Sequence, residues 1–317
     1  MAKAKAAKIK GKKFTFDDLE LLLLSLPTVI WFLVFAYLPM FGVLIAFKTW
    51  RVKGDFISTF MANDWVGFKN FEFLFSTNIA LDSLRNTLLY NIAFICLGVI
   101  IPVTLALMIN QLYSQKLAKV CQTAMFLPHF MSWVVVSYFV FAFFSGDKGF
   151  INNILESMGA ETVSWYGEDA LGFWPFLLII VNQWKGMGYG MVVYLATITG
   201  IDSTYYEAAV IDGATKWQQI TKITLPLLKQ IIIIMFIMAV GRIFNSDFGL
   251  FYNVPKATSQ LYPATRTLDV YIYDALKNLS NIPMSSAAAL FQSVAGCITI
   301  MIANAIVTKI DADSAFF

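Results

Sequence analysis

Six long apolar runs constrain this chain more than any other feature. They lie at roughly Leu21 to Phe47, Leu88 to Ile109, Thr123 to Phe144, Phe173 to Thr199, Leu227 to Leu250 and Ser285 to Thr308. About 20 residues at a rise of 1.5 Å cover the ~30 Å hydrocarbon core of a bilayer, so each run can cross one as a helix. The runs are continuous rather than alternating, which excludes a transmembrane barrel. The sequence therefore specifies an all-α membrane protein with six transmembrane helices.

Composition supports this. Of 317 residues, 58% are hydrophobic and only 14% charged, whereas about a quarter are charged in an ordinary soluble domain. That leaves too few polar residues to coat a soluble fold. Cys96, Cys121 and Cys297 form no spaced pattern, so neither a disulfide framework nor a zinc cluster is expected. The expected organisation is a basic tail over residues 1–20, a transmembrane domain over 21–310, and a short tail over 311–317. The first run is longer than a signal-peptide core and has no clear small-residue cleavage site, so it is read as a retained span.

Lysine placement orients the chain. Lys3, Lys5, Lys8, Lys10, Lys12 and Lys13 precede the first span, and six crossings put Lys116, Lys119, Lys216, Lys222, Lys229 and Lys309 on the same side. The positive-inside rule makes that side, with both termini, cytoplasmic. The segments from Trp50 to Asn86 and from Gly146 to Leu171 read as short external helices at headgroup level, able to meet an external partner. No internal or inverted repeat is evident, and six spans look like half of a pore, so a partner subunit of similar size is expected.

The loop between the fourth and fifth spans, Ile201 to Leu227, is the most informative stretch. Asp202, Ser203 or Thr204 can cap a short helix over Tyr205 to Ile211, and Gly213 permits a sharp exit. Trp217, Ile220 and Ile223 then recur at helical spacing up to Pro226, which suits the first turn of the next span. Such a loop is a compact, rigid knob.

Glu207, Ala208, Ala209, Gly213, Ile223, Leu225 and Pro226 resemble the cytoplasmic motif of permease subunits of binding-protein-dependent ABC importers. Ile211, Asp212, Gly213 and Ala214 match the form favoured by the carbohydrate-uptake branch, and Ile220 stands where Phe is common. The resemblance covers roughly Leu21 to Ile310, with Asn86-Thr-Leu and Leu127-Pro-His as further matches. Pro128-His129 and the region of Phe248 look like a subgroup of oligosaccharide permeases, of the maltose-transporter kind.

The resemblance implies the type I importer permease fold and partners of four kinds: a second permease, most often a different chain; a dimer of ATPase subunits; an extracellular solute-binding protein; and a carbohydrate. It implies that Glu207, Ala208, Ala209, Asp212, Gly213 and Pro226 couple the chain to its ATPase. It also implies that ATP and Mg are used by those partners and that this chain binds no cofactor. The host is then a bacterium and the location its plasma membrane.

Charges inside a span cost on the order of 3 kcal/mol, so Lys185, Arg242 and Asp247 need partners or water. Lys185 lies about twelve residues beyond Phe173, ~18 Å deep and near the midplane. Asn182, Trp184, Lys185, Arg242, Asn245, Asp247 and Phe248 make a candidate substrate site, because sugars offer hydroxyls to amides and charges, and CH faces to aromatics. Structural pairing between helices, including a Lys185–Asp247 bridge, is the competing reading. Gly186 and Gly190 share a helical face with Asn182 and allow close helix approach. In a continuous fifth helix Arg242, Asn245 and Gly249 share a face and Asp247 points elsewhere.

His129, the only histidine, reads as a packing residue, since a metal site or proton relay needs further ligands. Pro102, Pro128 and Pro175 are expected to kink spans. There is no Walker-type phosphate loop, zinc-protease motif or Ser-His pair, so no covalent chemistry is expected. An ion-coupled carrier of a polar solute is the alternative function.

Overall fold

The computed structural model describes residues 16–146 and 148–310. The tail lysines Lys3 to Lys13 and the tail 311–317 lie outside the described residues. The first helix begins at Phe16, so the last residues of the expected basic tail are already helical.

The first span is one 32-residue rod, Phe16–Phe47. It runs through α1 (Phe16–Phe32), a π-helical turn at Leu33–Tyr37, α2 (Leu38–Met40) and a 3-10 stretch at Phe41–Phe47. The short helices α3 (Phe56–Ala62) and α4 (Glu72–Ser76) follow, as expected outside the spans. α5 (Asn78–Asn110) is the second span and begins ten residues before its apolar run. Its Pro102 leaves the helix unbroken.

The third apolar run is not one helix. α6 (Gln115–Phe126) and a 3-10 turn at Leu127–Phe130 meet α7 (Trp133–Phe144) at 99°. Pro128 removes a donor within that turn, and the Ser132 hydroxyl accepts from Val135 N–H to restart the helix.

α8 (Phe150–Ser157) lies in the next loop. α9 (Trp174–Thr199) is the fourth span, and Pro175 begins it rather than kinking it, because a first-turn proline lacks only a donor that has no partner there. α10 (Ser203–Ile211) and α11 (Lys216–Gln219) form the knob. A π-helical turn at Ile220–Thr224 joins α11 to α12 (Leu225–Val240), giving one 25-residue helical rod. α13 (Phe248–Asn253), α14 (Tyr262–Thr265) and the amphipathic α15 (Leu268–Leu279) precede the last span, α16 (Ile282–Ile310). The described residues include no strand, only one isolated bridge between Lys48 and Trp65.

Four helices of the described residues are long and apolar enough to cross a membrane, and the bent α6/α7 pair makes a fifth. α9 is less apolar in its middle, at Asn182, Gln183 and Lys185, yet it runs beside α5 for its full length. Tyr90 near the start of α5 packs with Trp174, Leu177 and Leu178 near the start of α9. Val103, Ala106 and Ile109 at the other end of α5 pack with Met191, Leu195 and Ile198 at the other end of α9. The two helices are parallel, and at ~39 Å α9 is long enough to cross with its neighbour.

These two clusters lie at opposite ends of the α5–α9 pair, the bent third span contributing Ala118 to one and Val136 and Val140 to the other, and a smaller third cluster joins Leu74, Leu268 and Ala288. Side chains facing lipid can stay apolar, which is why most of Phe16–Phe47 is exposed.

Glycines set the closest approaches. A Cβ on Gly188 would overlap the Met125 carbonyl, and one on Gly190 would stand 2.9 Å from Pro102. Gly186, expected to share this role, has nothing within 4 Å. The tightest crossing of α9 is therefore at Gly188.

Candidate functional site

The fifth span breaks where it was expected to continue. Helix α12 ends at Val240, and Gly241 to Asp247 are unwound before α13 starts. The helical phase expected for Arg242, Asn245 and Gly249 is therefore lost. An unwound segment at membrane depth exposes carbonyls that must find donors.

Here they find side chains of neighbouring spans. Asn91 of α5 donates its amide to the carbonyls of Ile243 (2.9 Å) and Asn245 (3.0 Å). Gln292 of α16 donates to the Phe244 carbonyl at 2.8 Å. Asp269 of α15 accepts from the Ser246 N–H (2.7 Å) and hydroxyl (2.8 Å). Gly296 lets α16 approach, since a Cβ there would stand 2.7 Å from the Gly241 carbonyl.

The break opens a cavity of about 590 Å³ lined by Asn91, Arg242, Asn245, Ser246, Asp247 and Phe248, with apolar walls from α5 and α12. Four of the seven candidate residues, Arg242, Asn245, Asp247 and Phe248, are thus brought together. Asp247 caps α13, accepting from Gly249 N–H at 3.0 Å, and takes a 2.7 Å hydrogen bond from the Trp133 indole. The Lys185–Asp247 bridge of the competing reading does not form. Trp133 stands between them, its ring 5.0 Å from the Lys185 ammonium, while Lys185 donates to the His129 carbonyl at 2.9 Å. Lys185 thus satisfies a carbonyl left open by the bend of the third span, and Trp133 ties that bend to the break in the fifth.

Trp184 faces elsewhere, into an apolar groove against Val136 and Val140 of α7. Asn182 is half-buried on α9, outside the residues that line the cavity. The His129 ring stacks on Tyr189 at 4.9 Å and on Phe126 at 5.7 Å, a packing role. Asn91, Trp133, Asp269 and Gln292 were not singled out in the sequence. For Asn91 and Gln292 a polar residue inside an apolar run was the available signal, Asp269 lies outside the runs and carried none, and the missing piece was where the fifth span unwinds.

The knob is built as its sequence suggests. Asp202 supplies the cap of α10, accepting from Thr204 N–H at 3.0 Å, and this bond holds its carboxyl below the usual carboxylate range. Ser203 donates to the Glu207 carboxylate at 3.0 Å. At the far end Gly213 adopts φ +75°, and Ala214 N–H reaches the Ala209 carbonyl at 2.8 Å, closing the helix with a left-handed residue. Thr215 and Gln218 then form a reciprocal capping box that starts α11.

No residue of α10 is buried. Glu207, Ala208, Asp212, Gly213 and Pro226 are exposed and Ala209 is half-exposed, while Val210, Ile211 and Trp217 hold large apolar surfaces outward. The capped helix thus presents a contiguous, partly apolar surface outward.

Two interrupted spans meeting at a polar cavity, beneath spans otherwise closed in apolar contact, define a membrane subunit that translocates a solute. The chain belongs to the family described as binding-protein-dependent transport system inner membrane component, whose profile matches residues 95–310. It is 34% identical to Protein LplB of Bacillus subtilis (strain 168) over 299 residues, covering 94% of this chain and 92% of that one. It is 33% identical to the polygalacturonan/rhamnogalacturonan transport system permease protein YteP of the same organism, covering 91% of this chain and 88% of that one. Among solved structures it resembles a chain of a bacterial ABC transporter involved in import of the acidic polysaccharide alginate. The TM-score there is 0.83 at 32% identity, covering 93% of this chain and 97% of that chain. The same transporter has been solved with an alginate pentasaccharide-bound periplasmic protein (TM-score 0.81).

Proposed function

We propose that this chain is the permease subunit of a bacterial ATP-driven importer that carries an oligosaccharide delivered by an extracellular binding protein. The observation that carries this reading is the rod from Lys216 to Val240. It starts at the knob and ends at the edge of the cavity, so one rigid element joins a partner-facing surface to the place where solute sits. On this reading ATP and Mg act in separate ATPase subunits. Glu207, Ala208, Ala209, Asp212, Gly213 and Pro226 dock α10 into such a subunit, and ATP-driven closure tilts the rod.

A second permease completes the pore, and both termini face the cytoplasm with the knob. Asn245 offers an amide and Asn91 its amide oxygen to sugar hydroxyls, Phe248 offers a ring to a CH face, and Arg242 offers a cation to hydroxyl or carboxylate oxygens. The polysaccharides named for YteP and for the alginate importer support a carbohydrate, and the periplasmic protein of the latter supports delivery by a binding protein.

Co-purification of the tagged chain, followed by ATPase and uptake assays in liposomes, tests the proposal. Recovery of an ATPase and a second permease is expected, with binding-protein-stimulated turnover lost in Glu207→Ala and Gly213→Pro. Arg242→Gln should leave the assembly intact and cut saccharide-stimulated turnover at least tenfold. Recovery of this chain alone, active on an ion gradient, would overturn the reading.

A further inference from the structure

Residues 48–66, between the first span and α4, are built inside out. Lys48, Thr59 and Asn63 are buried, while Phe56, Ile57, Met61 and Trp65 point outward, Ile57 and Met61 at 70% and 76% exposure.

The interior is fully occupied by polar contacts. The Lys48 ammonium donates to the Phe60 carbonyl at 2.6 Å and lies 4.3 Å from the Phe60 ring. Asn63 accepts from Arg51 N–H at 2.9 Å and donates to the Arg51 carbonyl at 3.0 Å, and Thr59 accepts from Lys53 N–H at 2.9 Å. The loop is pinned to the end of the span. Val66 N–H reaches the Phe47 carbonyl at 2.8 Å, and Asn70 donates to the carbonyls of Ala46 and Lys48, each at 2.9 Å.

A loop in water puts its polar groups outside and its apolar groups inside. The reverse arrangement, with backbone groups satisfied from within, is what hydrocarbon demands. We infer that residues 48–66 form an in-plane membrane anchor, sunk into the headgroup–acyl boundary of the leaflet opposite the knob. Lipid is favoured as the occupant because the loop continues directly from the exposed, apolar, membrane-spanning rod Phe16–Phe47 and is tied to its end. A delivery protein that comes and goes would leave this face bare in water between visits. Arg51, Lys53, Asp55 and Asp64 stay exposed, suited to the headgroup layer. The inference is independent of which solute is carried.

Spin labels at Ile57→Cys, Met61→Cys and Phe68→Cys test it in the whole importer in liposomes. The background carries Cys96→Ala, Cys121→Ala and Cys297→Ala, and Lys148→Cys serves as the aqueous reference. Phe68→Cys supplies a site outside the loop should a label within it impair assembly. The expected result is a ratio of oxygen to nickel-chelate collision rates at least tenfold above that at Lys148. A ratio equal to the reference would make the segment an aqueous loop, and suppression of both collision rates would make a protein its cover. Either result overturns the inference.

Discussion

At the scale of single residues, the two breaks stand on a few side chains that serve carbonyls no helix can satisfy. Asn91 serves two of them, so Asn91→Leu keeps the volume and strips both bonds. The two bonds are half-buried and exposed, so a loss of about 1 kcal/mol of thermal stability in detergent, the net worth of a typical hydrogen bond, is expected along with weaker transport. Gly188 offers a sharper contrast. Gly188→Ala forces the α6 backbone away and is expected to cost about 1–3 kcal/mol, whereas Gly186→Ala, into open space, should leave the melting temperature unchanged. Equal effects from the two substitutions would contradict the helix crossing described here.

Among the elements, α10 carries the clearest expectations. Gly213 is in the left-handed region, so Gly213→Ala is expected to loosen the exit from α10 by about 1 kcal/mol and to lower coupled ATPase turnover without preventing assembly. Asp202 has a depressed pKa because Thr204 N–H bonds its carboxylate. Its support of α10 is therefore complete above the ordinary aspartate pKa of about 3.9 and fades as pH falls through the lowered value. Amide exchange at Thr204 and Tyr205 should accelerate, relative to the rest of α10, over that acid range, and Asp202→Asn should remove the pH dependence.

This helix was legible in the sequence because its signals are local: a capping aspartate, a glycine at the exit and a proline beyond. The six runs were legible too, since the bilayer fixes their length and composition. The bend at Met131–Ser132 was legible in part, through Pro128, but the break at Gly241–Asp247 was not. The residues that stabilise them, Asn91, Asp269, Gln292 and Lys185, come from other helices, so their pairing is not visible in the local sequence. Lys185 and Asp247 were singled out as charges needing partners, and each has one, although Lys185 is only half-buried and Asp247 is exposed. Their direct pairing failed because an indole ring intervenes, a placement set by the bend of the third span.

For the whole molecule, the exposed apolar surface of α1, α5 and α16 defines a lipid belt. Cys96 and Cys297 sit on it exposed, near the middle of α5 and α16. Both should resist a charged, membrane-impermeant maleimide in intact liposomes and react fully once the membrane is dissolved in sodium dodecyl sulfate. Labelling of either thiol before dissolution would place it on a water-filled path instead.

The rod from the knob to the break also has a mechanical meaning. With 25 residues it is ~37 Å long, so a tilt of only ~10° about its knob end would sweep its tip by ~6 Å, the width of a sugar ring. Because the chain unwinds just past that tip, the stroke can be spent on reshaping the cavity, while the helices beyond the break stay still. On the coupling proposed above, the interruption works as a joint, and a small push at one membrane face makes a large opening in the middle of the transporter.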